Sequence, residues 1–318
     1  MCLYPRLMLN AKYLPSKKNG YNPPVCMDFR VKYVPVGCGK CFECRKQKSR
    51  QWQVRLNEEL KQNRGYFVTL TFTNESLIKL CNQLNYNESN AVAGKAVRLF
   101  LERWRKKYKK SIRHWFITEL GHQNTERIHL HGLIFTNDKF DNQILEDIWQ
   151  YGMCYTGKYC NEKTINYVIK YVTKIDLDHK GYEPQIFCSA GLGKGYITDA
   201  TIQKHKKRDK TIETYKLNNG AEINLPIYYR NKLFTEEERE QLWIEKIETH
   251  TRYVNGIKCT NLDTEKGRKH YMNVLYQQQE NNVALGYGDN SEEWKKKNYN
   301  VTLKMLNKKI DKDTCEQV

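Results

Sequence analysis

The chain has 318 residues, 39% of them hydrophobic, and its 54 lysines and arginines outnumber 36 aspartates and glutamates for a formal net charge of +18. That length supports one large or two modest domains with a true core, and the basic surplus, with a pI near 9.3, points to a polyanionic partner, of which nucleic acid is the commonest. No stretch approaches the roughly 18 apolar residues of a membrane span, the N-terminus does not read as a secretory signal, and 11 cysteines, an odd number, read as reduced thiols or metal ligands of a cytoplasmic protein rather than a disulfide framework.

Residues 1–40 are loop-rich, with Pro15, Pro23, Pro24 and Pro35 breaking any long helix. A helix is predicted over 42–62, where Trp52, Val54, Leu56 and Leu60 recur near helical spacing. "GYFVTLTF" (65–72) is aromatic and β-branched and reads as a strand. Residues 73–94 read as a loop with one short helix, and "KAVRLFLERWRKKYKK" as an amphipathic helix with Val97, Phe100, Leu101 and Trp104 on one stripe. "HWFITEL" (114–120) and "RIHLHGLIF" (127–135) read as antiparallel strands joined by a polar loop. A helix over 141–151, a short strand within 152–159 and a helix over 164–175 follow. The order strand, helix, strand, strand, helix, strand, helix predicts an α+β fold, a ferredoxin-like split βαβ antiparallel sheet with helices packed on one face. "FCSAGLGKGY" (187–196) lacks the strand-then-helix setting of a phosphate loop and reads as a turn segment. "INLPIYYRNKLF" (223–234) reads as a segment docking back on the core, and from 235 onward the pattern is helical and heavily charged. The division expected is a cysteine-containing N-terminal segment and helix over 1–64, a catalytic domain over 65–234 and a charged helical extension over 235–318.

Within the predicted strand 127–135, His129 and His131 stand two residues apart and therefore share one face. Two adjacent imidazoles form a natural bidentate grip on a metal ion, although two strand histidines on a polar face need no ligand. On the predicted helix, Tyr167, Lys170, Tyr171 and Lys174 follow i, i+3, i+4, i+7 spacing, opposite a face of Val168, Ile169, Val172 and Ile175. An ordinary amphipathic helix with half-buried tyrosines explains the same pattern. Taken together, a metal pair, a tyrosine helix and a large positive charge fit one reaction. A tyrosine attacks a DNA phosphodiester that a divalent metal polarises, and a neighbouring lysine, Lys170 or Lys174, steadies the developing charge or helps with the proton.

These residues resemble a known family. His129-Leu130-His131 is similar to the His-hydrophobic-His signature of the HUH endonucleases, "YVIKY" to the paired-tyrosine motif of their rolling-circle replication initiators, and "FVTLTF" to their first-strand motif. With "MCLYP", "VGCGKCFECRKQKSRQWQVRL" and "LPIYYRNKLF", the chain resembles the initiators of microviruses, gokushovirus-like single-stranded DNA phages in particular. The resemblance implies an HUH endonuclease that nicks single-stranded DNA at the phage origin, holds the 5′ phosphate on Tyr167 or Tyr171, and later rejoins the strand. It implies Glu119, in Glu119-Leu120-Gly121, as third metal ligand beside His129 and His131, with Glu126 ranked second. Mg²⁺ or Mn²⁺ suits that set. The implied partners are origin single-stranded DNA, the host helicase and the host DNA polymerase, in the bacterial cytoplasm. No helicase phosphate loop is present in the sequence, so unwinding falls to a partner.

Cys38, Cys41 and Cys44 form a double C-x₂-C, which a fourth ligand would close into a tetrahedral structural Zn²⁺ site. Cys2 and Cys26 are the upstream candidates, and the resemblance favours Cys2. An iron–sulfur cluster would need the same four ligands, and three reduced cysteines at a helix start are the plain reading. Candidate DNA contacts are Arg45, Lys46, Lys48 and Arg50 after the cysteines, and Arg103, Arg105 and Lys106 in the basic run 103–110; "KHKKRDK" (204–210) is a second dense run. The competing readings are a plasmid initiator or transposase of the same chemistry, and a non-catalytic zinc-bearing nucleic-acid-binding protein.

Overall fold

A computed structural model describes residues 1–84, 88–122, 126–157, 159–179, 181–206 and 211–289. Residues 207–210 of the second basic run and the end of the C-terminal extension, 290–318, lie outside the described residues. In chain order the first elements are β1 (Arg6–Leu9), α1 (Phe29–Lys32), β2 (Tyr33–Val36) and α2 (Phe42–Leu60). Next come β3 (Gly65–Leu70), α3 (Asn74–Leu84), α4 (Ser89–Tyr108), β4 (Arg113–Leu120), β5 (Ile128–Phe135), α5 (Asn142–Trp149), β6 (Cys154–Thr156), α6 (Glu162–Thr173) and β7 (Ile186–Cys188). The last are α7 (Asp199–His205), β8 (Thr214–Lys216), β9 (Glu222–Asn224), α8 (Ile227–Leu233), α9 (Glu236–Glu248), β10 (Arg252–Val254), β11 (Ile257–Cys259) and α10 (Glu265–Ala284). The chain divides into two compact units, one from residues 1–48 and 197–290, the other from 49–196 and 291–318.

The unit built on 49–196 holds a five-stranded sheet in the order β6-β3-β5-β4-β7, each neighbouring pair antiparallel. β3 and β4, joined through α3 and α4, therefore run the same way on either side of β5. Strand alternation divides the side chains between two faces. Tyr66, Val68, Leu70, Phe116, Leu120, Ile128, Leu130 and Ile134 pack in one core with Leu80, Phe100, Trp104 and Leu145 from α3, α4 and α5. Trp115, Ile117, Leu133 and Phe135 pack in a second core with Leu56 of α2 and Ile165, Val168 and Val172 of α6. Helices thus cover both faces, not the single face expected, because β4 and β5 are apolar at alternate positions on both sides and each face must leave water. This second face is the one that Thr69, Glu119, His129 and His131 share by period two.

Two helix boundaries differ from the sequence reading. The predicted loop over 73–94 holds α3 and the first turn of α4, where Leu77, Leu80 and Cys81 are buried on one stripe. The Glu88 carboxylate accepts from the Asn90 and Ala91 amides and starts α4. α6 begins earlier because Asn161 and Thr164 form a reciprocal capping box. It ends at Thr173, and Lys174 has left helical geometry at ψ 133°.

The other unit carries the hairpins β1–β2, β8–β9 and β10–β11 and the helices α1, α7, α8, α9 and α10. Leu3, Cys41, Phe42, Val254, Cys259, Val274 and Leu275 form its core. Tyr229 and Leu233 of α8, in the segment expected to dock, are buried. The region from 235 onward is not helical throughout: Asn255 and Gly256, both at positive φ, close the β10–β11 hairpin between α9 and α10.

Candidate functional site

Antiparallel register brings the polar residues of the second face together. Glu119 lies opposite His129, and His131 lies opposite Ile117 on one side and Thr69 on the other. Glu119 Oε2 is 3.2 Å from His129 Nε2 and 3.1 Å from His131 Nε2. The Arg127 carbonyl lies 3.3 Å from His129 Nδ1 and can only accept, so that nitrogen carries the proton. Thr69 Oγ1 lies 3.1 Å from His131 Nδ1 and can play the same part. Both Nε2 atoms then turn lone pairs toward a carboxylate oxygen. Two imidazole lone pairs and a carboxylate converging without a proton between them form a donor set for a cation. The three side chains are 12–21% exposed, enough for a ligand to enter. Lys174 Nζ bonds the other oxygen, Glu119 Oε1. Burial pushes the Glu119 carboxyl up, but hydrogen bonds from His129, His131 and Lys174 outweigh it and hold the group well below the usual carboxylate range.

The tyrosine helix lies over this triad. The Tyr171 ring stacks on His131 at 4.4 Å between centroids and 15° between planes. Its hydroxyl is 2.9 Å from that of Tyr167, which is 47% exposed. Phe67 stacks beside His131 and meets the edge of Tyr167. Burial first, then the Tyr167 hydrogen bond and the Glu119 charge, raise the Tyr171 phenol well above its ordinary value. Lys174 Nζ lies 5.9 Å from the Tyr171 ring centre. Lys170 is exposed, and among the described residues no hydrogen bond or ion pair joins its ammonium to the triad or the tyrosines. Glu126 is apart from the triad, with Oε2 3.4 Å from His179 Nε2. Thr69 and Phe67 escaped the sequence reading, although both sit in "FVTLTF" at the two positions that face away from Val68 and Leu70.

In the other unit, the sulfurs of Cys2, Cys38, Cys41 and Cys44 lie within 4.8 Å of one another. Cys26 does not join them; its thiol donates to the Asp28 carbonyl. Gly39, at φ +80°, allows the tight turn between Cys38 and Cys41. The Cys38–Cys44 and Cys41–Cys2 separations are both 3.9 Å, near the ~3.8 Å edge of a tetrahedron with Zn–S bonds of about 2.3 Å. The amides of Tyr4 and Cys38 point at the Cys2 sulfur, and that of Cys41 at Cys38. N–H donors aimed at sulfur favour thiolates, so the donor set fits a structural zinc.

Of the candidate DNA contacts, Arg45 is buried and donates to the Lys40 carbonyl. Arg103 is committed to the end of α5, bonding the Ile148 and Trp149 carbonyls at 2.6 Å and the Tyr151 hydroxyl at 3.0 Å. Lys46 is exposed, with its ammonium on Asn255. Lys48, Arg50, Arg105 and Lys106 are exposed.

The comparison with known families bears on the first of these sites. Residues 65–176 match the family model described as replication-associated protein ORF2. The matched stretch runs from β3 past the end of α6 and contains Glu119, His129, His131, Tyr167, Tyr171 and Lys174. It does not reach the cysteine cluster. No curated protein and no solved structure matches the chain. No helix among the described residues is long and apolar enough to cross a membrane.

Proposed function

We propose that this chain is a rolling-circle replication initiator of the HUH endonuclease type, which nicks single-stranded DNA at an origin through a tyrosine and later rejoins the strand. The observation that carries the reading is the stacking of Tyr171 on His131, which sets a phenol beside the convergence of two imidazoles and a carboxylate. The match of residues 65–176 to a replication-associated family supports it, as does the net charge of +18, which suits a polyanionic substrate.

Glu119, His129 and His131 are the residues that would hold a Mg²⁺ or Mn²⁺ ion. When bound, that ion supplies Lewis-acid polarisation of the scissile phosphate. The tyrosine oxygen attacks phosphorus, a P–O bond to tyrosine forms, and the bond from phosphorus to the 3′ oxygen breaks. The phenolic proton leaves to solvent, and the 3′ oxygen takes up a proton to become the hydroxyl that primes synthesis. Lys174, bonded to Glu119 and near Tyr171, places positive charge where phosphate charge gathers. The reverse step, attack by a 3′ hydroxyl on the phosphotyrosine, rejoins the strand and restores the phenol. Two phenols four residues apart can take alternate turns. The cysteine cluster serves as a structural zinc site. The resemblance to microvirus initiators places the work at a phage origin in the bacterial cytoplasm, beside the host helicase and polymerase.

The test uses full-length protein, labelled single-stranded origin DNA and Mn²⁺, resolved on a denaturing protein gel. A labelled band at the protein's mass, abolished by EDTA and by the Tyr167→Phe/Tyr171→Phe double variant, is expected. Cleavage with no covalent band would overturn the tyrosine assignment. Salt-sensitive binding without cleavage would replace the nickase with a binding protein.

A further inference from the structure

A second cluster of donors stands beside the candidate catalytic triad, in the same unit, and the reaction proposed above does not use it. His122 lies in the connection after β4, and Asp176, Asp178 and His179 lie in the segment after α6. One ligand atom each from His122, Asp176 and His179 falls within 4.8 Å of the others. His122 Nδ1 is 2.9 Å from Asp178 Oδ2 and 3.8 Å from Asp176 Oδ1. His179 Nδ1 is 2.7 Å from Asp176 Oδ2.

Two features set this group apart from surface acids. His179 is 3% exposed, and its Nε2 atom is buried without a hydrogen bond. Nδ1 carries the proton that goes to Asp176, so Nε2 presents a buried lone pair, an expensive arrangement unless something positive meets it. The Glu126 carboxylate, 3.4 Å from that nitrogen, is itself an acceptor. Charge gives the second feature. Among the described residues the ion partners of Asp176 and Asp178 are these histidines alone. With neutral imidazoles the two carboxylates carry two uncompensated negative charges.

We infer that His122, Asp176 and His179 form a second divalent-metal site, of a class that favours imidazole with carboxylate, zinc being the representative ion. Bonds of about 2.0–2.2 Å to nitrogen and oxygen place donors about 3–3.5 Å apart, so closure asks for a movement of roughly an ångström, which the exposed His122 side chain can make. The site joins the segment that follows the tyrosine helix to the segment that follows Glu119. Its role is to fix Lys174 and Glu119, two and three residues from its ligands, against each other. It is structural, and it does not depend on the nickase reading.

The test counts zinc. Full-length His129→Ala/His131→Ala protein, which lacks the triad's imidazoles, is stripped with chelator, equilibrated with excess Zn²⁺, passed through a desalting column and analysed for metal. The same protein with His122→Ala added is compared. Because His122 is exposed, that change leaves the fold intact, and circular dichroism checks it. The parent is expected to hold two equivalents, one on the cysteines and one on this site, and the His122→Ala protein one. His179→Gln, which removes the buried ligand, should give the same loss. The thermal midpoint should rise with Zn²⁺ beyond the cysteine-bound equivalent in the parent and not in His122→Ala. Equal stoichiometry in parent and His122→Ala would overturn the inference, whether that number is one or two.

Discussion

Glu59 of α2 and Arg113 at the start of β4 form a buried pair whose loss should be felt throughout the sheet. The Glu59 side chain is 2% exposed and that of Arg113 29%. Its carboxylate takes Arg113 Nε on one oxygen and Nη2 on the other at 2.6 Å. It also accepts from the Gly193 amide at 2.8 Å and from Asn63 Nδ2 at 2.7 Å. Glu59→Ala removes all four acceptor contacts at once and strips a half-buried guanidinium of its carboxylate. Breaking a buried pair from one side costs about 3–5 kcal/mol. Replacing both partners with apolar residues, as in Glu59→Leu/Arg113→Met, removes the buried charges together and should cost well under half of that. Guanidinium denaturation followed by tryptophan fluorescence, which reports the buried Trp115 and Trp149, measures both. The pH dependence has a definite sign. Burial raises the Glu59 carboxyl, but Arg113 and Gly193 outweigh it and lower the group below its ordinary 4.5. The stabilisation is therefore complete above about pH 4.5 and disappears as the pH falls through the lower folded value. A Glu59→Ala cost below about 1 kcal/mol, the range of an exposed pair, or a cost unchanged between pH 7 and pH 3, would refute the argument.

Three further outcomes follow from the two clusters. Thr69→Val removes the partner of His131 Nδ1 and should raise the Mn²⁺ concentration for half-maximal cleavage about 10-fold, in line with the effect of residues that orient metal ligands; an unchanged metal titration counts against this role. Tyr171→Phe should lower first-turnover covalent labelling of origin DNA more than Tyr167→Phe, because Tyr171 is the phenol stacked on His131; the reverse order in a rapid-quench experiment would reassign the first nucleophile. Cys44→Ser should cost one equivalent of bound zinc by elemental analysis and lower the melting temperature of the protein, since a structural zinc contributes folding free energy directly; full retention of metal would remove Cys44 from the ligand set.

Much of the sheet was legible because its strands carry strong local signals. "YFVTL" and "HWFITEL" are aromatic and β-branched, and the period of two in "IHLHGLIF" alone puts His129 and His131 on a common face. What the period could not show is what the face meets. Thr69 and Glu119 reach the histidines through register across β3 and β4, a long-range property that no short window contains. α3 was hidden because "NESLIKLCNQL" is polar at most positions, and its buried stripe of Leu77, Leu80 and Cys81 is narrow. The β10–β11 hairpin was readable in principle: Asn255-Gly256 between Val254 and Ile257 is a strong two-residue turn signal, masked by the charged helices around it. Arg103 shows the opposite hazard. Its basic run suggests DNA, yet three hydrogen bonds commit it to closing α5.

Gly132 follows His131 on the central strand, and a methyl group there would collide with the Trp115 carbonyl and the Phe116 ring and stand 2.9 Å from Phe116 Cα. The strand holding the histidines is thus pressed so closely against β4 that one of its positions has no room for a side chain. A mutational survey scored only by replication would find position 132 as intolerant as its histidine neighbour and would group the two as chemistry. They fail for different reasons, one for want of a donor atom and one for want of space, and only a direct measure of folding would tell the two apart.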